Sequence, residues 1–153
     1  MEYIESHKSG PCILCAKPAE THDRENFILH RSTHSFVMMN IYPYSNAHLM
    51  VSPFAHVDRP AALDAAAALD LTQTLGRAIE RLQEALSPEG FNVGLNIGKA
   101  AGAGIDTHLH FHIVPRWHGD TNYMTLFAEV RVIPEHLAAT YDRLLPHFQR
   151  GPS

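Results

Sequence analysis

The chain has 153 residues, 45% of them hydrophobic, and a formal charge of −4 with its 12 histidines counted neutral. That length suits one domain with a real core, and the lack of a basic stripe argues against a nucleic-acid partner. No apolar run nears the roughly 20 residues that span a bilayer, and residues 1–5 carry no basic-then-apolar signal, so a cytoplasmic protein without a membrane partner is expected.

Residues 1–10 read as a loose N-terminal leader and 11–150 as the domain. Pro11-Cys12-Ile13-Leu14-Cys15 forms a tight knuckle. Short strands are expected over 26–30 and 35–40, the second ended by the turn Tyr42-Pro43-Tyr44-Ser45-Asn46. A third follows over 48–51. Pro60 to Leu86 predicts one long helix, with Asp58 as its cap and Pro60 in its first turn. Its apolar positions Leu63, Ala67, Leu71, Leu75, Ala78, Ile79, Leu82 and Leu86 recur at three- and four-residue steps. Ser87-Pro88-Glu89-Gly90 stops it, and Phe91 to Ile97 is a fourth strand. After the fifth strand come strand-like pieces at 123–127 and 130–133, then a C-terminal helix opened by Pro134. The expected class is α+β, with about five antiparallel strands, one long helix and a C-terminal helix.

The fifth strand is the richest stretch. In His108-Leu109-His110-Phe111-His112-Ile113, three histidines alternate with apolar residues. Period-two alternation predicts a half-buried strand with its imidazoles on one face, adjacent rings roughly 7 Å apart. An ordinary polar strand face has no need of titratable rings. Two chemistries fit: a metal site, since imidazole ligates zinc, copper and iron, or a histidine nucleophile oriented by its neighbours. Upstream, Gly98-Lys99-Ala100-Ala101-Gly102-Ala103-Gly104-Ile105 is a small-residue loop that lets backbone N–H groups approach an anion. A phosphate cradle next to imidazoles favours chemistry at phosphorus. An attacking imidazole in this row needs a neutral ring whose other N–H is held by an acceptor such as a backbone carbonyl, while a protonated neighbour such as His112 would stabilise the leaving phosphate.

Cys12 and Cys15, the only cysteines, form a C-x-x-C. A redox pair needs a helix N-terminus and a βαβ context, and neither is evident. A zinc site needs two more ligands, for which His22 is near in sequence and His56 and His108 are distant. His7, His30, His34, His136 and His147 read as surface or partly packed residues.

The stretch 108–114 resembles the His-φ-His-φ-His-φ-φ signature of the histidine triad (HIT) superfamily. The stretches Asn40 to Val51, Gly90 to Gly98 and His108 to Asp120 look like its bacterial diadenosine tetraphosphate phosphorylase-like branch. The resemblance implies an enzyme, a hydrolase or nucleotidyltransferase acting on an adenine nucleotide or dinucleoside polyphosphate. His110 would attack the α-phosphate and form a nucleotidyl-histidine. His112 would touch the phosphate or leaving oxygen, with His48 in support. Asn40 would hold the ribose, Met38 and Met50 would flank the base, and Asn96 with the backbone of Gly102, Gly104 and Ile105 would line the phosphates. Zinc-bearing relatives imply a structural zinc at Cys12, Cys15, His56 and His108. Relatives pair as homodimers through the long helix and an adjoining strand.

One departure stands out. Many hydrolase members carry Gly-Gln-Ser or Gly-Gln-Thr before the triad, whereas this loop reads Gly102-Ala103-Gly104-Ile105-Asp106-Thr107. Phosphate contacts there fall to backbone N–H groups. Two readings of other kinds compete with the enzyme above. One is a nucleotide-binding sensor with little turnover; the other is a zinc-dependent hydrolase using all three triad histidines, with Asp106 as the one nearby acid.

Overall fold

Ser35-Phe36-Val37-Met38-Met39 is buried along its whole length, as a strand covered on both faces must be. The computed structural model describes residues 10–120 and 134–150. In chain order it has α1 (Ile13–Ala19), β1 (Ile28–Arg31), β2 (Ser35–Met39), β3 (Leu49–Pro53), α2 (Ala65–Leu86), β4 (Gly90–Leu95), β5 (Phe111–Arg116) and α3 (Pro134–Phe148), with 3-10 turns at Pro60–Ala62 and Lys99–Ala101. The leader over residues 1–9, including His7, and the pieces expected at 123–127 and 130–133 lie outside the described residues.

The five strands form one antiparallel sheet in the order β1-β2-β3-β5-β4. The class is α+β, as expected. The chain leaves β3 through α2, returns at the edge as β4, and doubles back so that β5 lies between β4 and β3. Every strand therefore meets its neighbour antiparallel, and the histidine-bearing strand ends inside the sheet.

The two faces have different covers. Val37, Met39, Leu49, Val51 and Ile113 meet Leu71, Ala78 and Leu82 of α2 and Tyr141, Leu144 and Phe148 of α3. Ile28, Phe36, Met38 and Met50 meet Leu14 of α1, with Cys12, Ile13, Phe54 and Ile105 packed beside them. On this second face one cross-strand row runs Ile28–Met38–Met50–His112–Gly94 through all five strands. The apolar half of the row lies under α1, and His112 lies beyond it, between Met50 and Gly94.

The long helix begins later than its sequence suggests. Pro60 opens only a 3-10 turn, and α2 starts after Asp64, whose carboxylate accepts from the Ala67 N–H at 2.8 Å. Asp58 is instead held by Arg59, with contacts of 2.8 and 2.6 Å, so its oxygens do not cap a helix. The apolar stripe faces inward as predicted: Ala67, Leu71, Ala78 and Leu82 are buried, and Leu63, Leu75, Ile79 and Leu86 pack partly against the core. Ser87 ends the helix in the left-handed region at φ 49°, its N–H donating to the Gln83 carbonyl.

Candidate active site

Segment 108–110 lies outside the ladder; β5 begins only at Phe111. It is fastened to β3 by side chains and loops. The Leu109 N–H donates to the Val57 carbonyl at 2.6 Å, and Ser52 Oγ donates to the Leu109 carbonyl at 2.8 Å. The alternation still holds, since Leu109 and Ile113 are buried in the helix-side core. The imidazoles, however, do not form one even row. His108 turns towards the N-terminal helix, while the His110 and His112 rings sit edge to face with centroids 4.9 Å apart. That is closer than the roughly 7 Å of a regular strand face, because His110 precedes the ladder and its ring bonds back to its own chain.

Hydrogen bonds fix where each ring carries its proton. His110 Nδ1–H donates to the His108 carbonyl at 2.8 Å, so in the neutral ring the lone pair is on Nε2. The Tyr44 N–H donates to His48 Nδ1 at 3.1 Å, so the His48 proton sits on Nε2. That Nε2–H donates to His112 Nδ1 at 2.9 Å, which leaves the His112 proton on its own Nε2. Burial, then the neighbouring His112 and His110, push His48 down to about 4. Burial and His110 push His112 down to about 4 as well. The expected protonated His112 is thus corrected: near pH 7 it is neutral and offers an N–H dipole rather than a full charge.

Asn40 and His48 are the two ends of the β2–β3 loop. One step beyond the last ladder pair, Met39 with Leu49, the Asn40 N–H donates to the His48 carbonyl at 2.9 Å. The Asn40 Oδ1 accepts from the Tyr42 N–H at 2.9 Å, and its Nδ2 lies 3.5 Å from His48 Nδ1. Met38, only 2% exposed, and Met50, at 7%, lie in the cross-strand row that leads to His112. Ile105 packs into the same apolar cluster and anchors the glycine loop there. Asn96 follows β4 and is half-buried; Gly104 is exposed. Gly102 closes the 3-10 turn at φ 82°, where only glycine is unstrained, and its N–H is taken by the Lys99 carbonyl at 3.0 Å. Lys99, on the far side of the loop, lies 3.7 Å from Asp106.

A second cluster forms around His108. Its Nε2–H donates to the Pro53 carbonyl at 2.9 Å, which leaves Nδ1 as the ligating atom, 3.4 Å from each of Cys12 Sγ and Cys15 Sγ. His56 Nδ1 is 3.3 Å from Cys15 Sγ, and the four ligand atoms all lie within 4.8 Å of one another. Tetrahedral zinc at ordinary bond lengths would set sulfur and nitrogen about 3.6 Å apart, so the donor set and its spacing fit that ion. His22 is exposed and outside the group. The C-x-x-C does sit at a helix start after all, with Cys12 as the residue before α1. Among the described residues the sheet is antiparallel throughout and offers no parallel βαβ setting for a redox pair. Burial, then the nearby Cys12, raise the Cys15 thiol. The triad is therefore divided: His108 joins the cysteines, and His110 and His112 join His48.

Residues 21–119 match the HIT domain family. The chain is a member of it. The HIT chain is also 37% identical over 130 residues to the AP-4-A phosphorylase of Mycobacterium tuberculosis, an alignment covering 85% of this chain and 67% of that relative. Among solved structures, a hypothetical histidine triad nucleotide-binding protein from Sulfolobus tokodaii superposes with a TM-score of 0.73 at 22% identity, covering 90% of this chain and 92% of that one. A zinc-bound histidine triad family protein from Mycobacterium smegmatis superposes with a TM-score of 0.71, again at 22% identity and over 90% and 92% of the two chains.

Sequence reasoning missed Tyr44 in this HIT site. Its ring stacks on His48, centroids 5.0 Å apart and planes 27° apart, and lies 6.3 Å from His112. The one available signal was an aromatic residue in the turn four positions before His48. Of the remaining histidines, His118 pairs with Glu89, and His147 lies 3.8 Å from Glu84.

Proposed function

We propose that this HIT protein is a nucleotidyl hydrolase or transferase that cleaves adenine dinucleoside polyphosphates at the α-phosphate through a nucleotidyl-histidine. The observation that carries the reading is the His110 ring, with Nδ1–H bonded to the His108 carbonyl and Nε2 left as a lone pair. The likeness to the AP-4-A phosphorylase supports the substrate class.

In the first displacement His110 Nε2 attacks the α-phosphorus. A nitrogen–phosphorus bond forms as the bond to the bridging oxygen breaks, and the electron pair leaves with the remaining polyphosphate. His112 Nε2–H donates to the oxygen on which charge develops, and His48 holds His112 in the tautomer that can do so. In the second displacement water or inorganic phosphate attacks phosphorus and the nitrogen–phosphorus bond breaks, freeing the imidazole. With water, the attacking oxygen releases its proton to solvent.

Asn40 holds the ribose, Met50 beside His112 forms the apolar side of the base site with the buried Met38 packed behind it, and Asn96 with the backbone of Gly102, Gly104 and Ile105 lines the phosphates. The Gly102 N–H is spent on its turn, so Gly102 contributes its left-handed conformation, and donation falls to the residues after it. Cys12, Cys15, His56 and His108 hold a zinc ion whose chemistry is structural, closing α1 against the segment that leads into β5. The protein works as a cytoplasmic homodimer of this one domain, without nucleic-acid or membrane partners. Exposed Val93 on edge strand β4 and Leu69 on α2 support a pairing surface there.

The test is product analysis with diadenosine tetraphosphate, with and without inorganic phosphate. AMP and ATP formed without phosphate mark a hydrolase; ADP and ATP formed only with phosphate mark a phosphorylase. No turnover under either condition moves the reading to a nucleotide sensor.

A further inference from the structure

Tyr44 is 76% exposed, more so than any other large hydrophobic side chain among the described residues that are exposed. Its ring is nevertheless held in place. One face stacks on His48, and the ring sits at 6.3 Å from His112. The loop carrying it is fastened at several points: Ser45 Oγ donates to the Pro115 carbonyl at 3.0 Å, Thr140 Oγ1 donates to Asn46 Oδ1 at 3.2 Å, and the Asn40 and His48 main chains close its base. A fixed aromatic face turned to water gains little for folding. It is a pre-organised platform for a flat, apolar ligand group.

The place of that face decides the ligand. The bond that breaks lies between His110, which takes the phosphorus, and His112, which faces the departing oxygen. Whatever departs must pass His112, and Tyr44 is the aromatic ring beside it. We propose that the outer face of Tyr44 stacks the nucleobase of the departing half of a dinucleoside polyphosphate, forming a second base subsite distinct from the one beside Asn40. This rests on the His110 reading above for the direction in which the leaving group departs. Stacking is tolerant of base identity, because every base has a π-face, so the subsite selects for a second nucleoside rather than for adenine in particular.

The test compares two ligands that differ only in the distal nucleoside, diadenosine tetraphosphate and adenosine 5′-tetraphosphate. Both are titrated by calorimetry into His110→Ala protein, which leaves them intact, with Tyr44 as tyrosine, phenylalanine, leucine or alanine. The preference for the dinucleotide falls about tenfold in Tyr44→Ala, falls similarly in Tyr44→Leu, and is kept in Tyr44→Phe. Equal losses for both ligands would mean that the ring only shelters His48, and would overturn the subsite, as would a preference unmoved by alanine. The ratio is read without turnover. Failure of the wild-type protein to release product, with the ratio still shifting, would therefore discard the catalytic reading and leave the subsite standing.

Discussion

His48 Nε2 lies 2.9 Å from His112 Nδ1, and the bond between these residues, 64 apart in sequence, joins the end of the β2–β3 loop to β5. With the Tyr44 N–H occupying His48 Nδ1, the direction of the bond is settled from the backbone outwards. His112 thereby presents an N–H instead of a lone pair. Replacing His48 by alanine removes that constraint, so kcat is expected to fall about tenfold to a hundredfold while nucleotide KM changes little. His48→Gln can restore a donor and should recover part of the loss. A His48→Ala enzyme with normal kcat would show that His112 needs no orienting partner.

The nucleophile proposed above makes a sharper prediction. His110→Ala is expected to abolish turnover while keeping nucleotide affinity, because in that mechanism the ring serves the reacting phosphorus and the pocket walls come from other residues. His112→Ala should keep the covalent step but slow it by about two orders of magnitude or more, in line with the loss of a single transition-state donor. A chiral α-phosphorothioate substrate reads the mechanism directly. Two displacements give net retention at phosphorus, and inversion would count against a nucleotidyl-histidine.

Acid sensitivity follows from the same pair. In the folded protein His48 and His112 are held down to about 4, below the ordinary value of 6.5. Between those values the unfolded chain binds protons that the folded chain refuses, so stability rises with pH there. The contribution of the pair is complete above about pH 6.5 and is lost as pH falls towards 4. The melting temperature should decline across that window, and a His48→Gln, His112→Asn double variant should show a shallower slope. Identical slopes would assign the acid sensitivity to other groups.

The cysteine–histidine cluster predicts one zinc ion per chain by elemental analysis of protein purified without chelator. Cys12→Ser with Cys15→Ser should lower the melting temperature by more than about 5 °C, since about 2 kcal/mol moves a domain of this size by that much. Leu14, fully buried between the two cysteines, ties the same helix to the sheet. Leu14→Ala should destabilise by about 2–5 kcal/mol with the metal still bound. Absence of metal from the intact protein would reduce the cluster to a packing motif.

Helix capping gives a simple paired test. Asp64→Ala should cost about 1 kcal/mol, the usual value of a lost N-cap. Asp58→Ala should leave the melting temperature unchanged, since its exposed partner Arg59 is its sequence neighbour. Equal effects of the two substitutions would place the start of the helix back at Pro60.

Much of this protein was legible as local pattern. Alternation marked the histidine strand, apolar runs bounded by turn residues marked the others, and three- and four-residue steps marked α2 and its buried stripe. Each of these depends on residues close in sequence, where backbone geometry alone sets which side chains share a face. The helix start went wrong for a local reason too: two aspartates compete for the cap, and a neighbouring arginine takes one of them. The spacing of the triad left open how its three histidines divide; the family resemblance implied the split, and only the tertiary structure supplied the contacts that make it. His108 is drawn to Cys12, Cys15 and His56, residues 52 to 96 positions away, because α1 and the end of β3 both pack at the entrance to β5. His112 receives its proton orientation from His48 across the sheet, and Tyr44 reaches both rings only because the β2–β3 loop is tied to β5. A sequence period can place donors on one face, but their partners come from other elements, and packing between elements decides which of them meet.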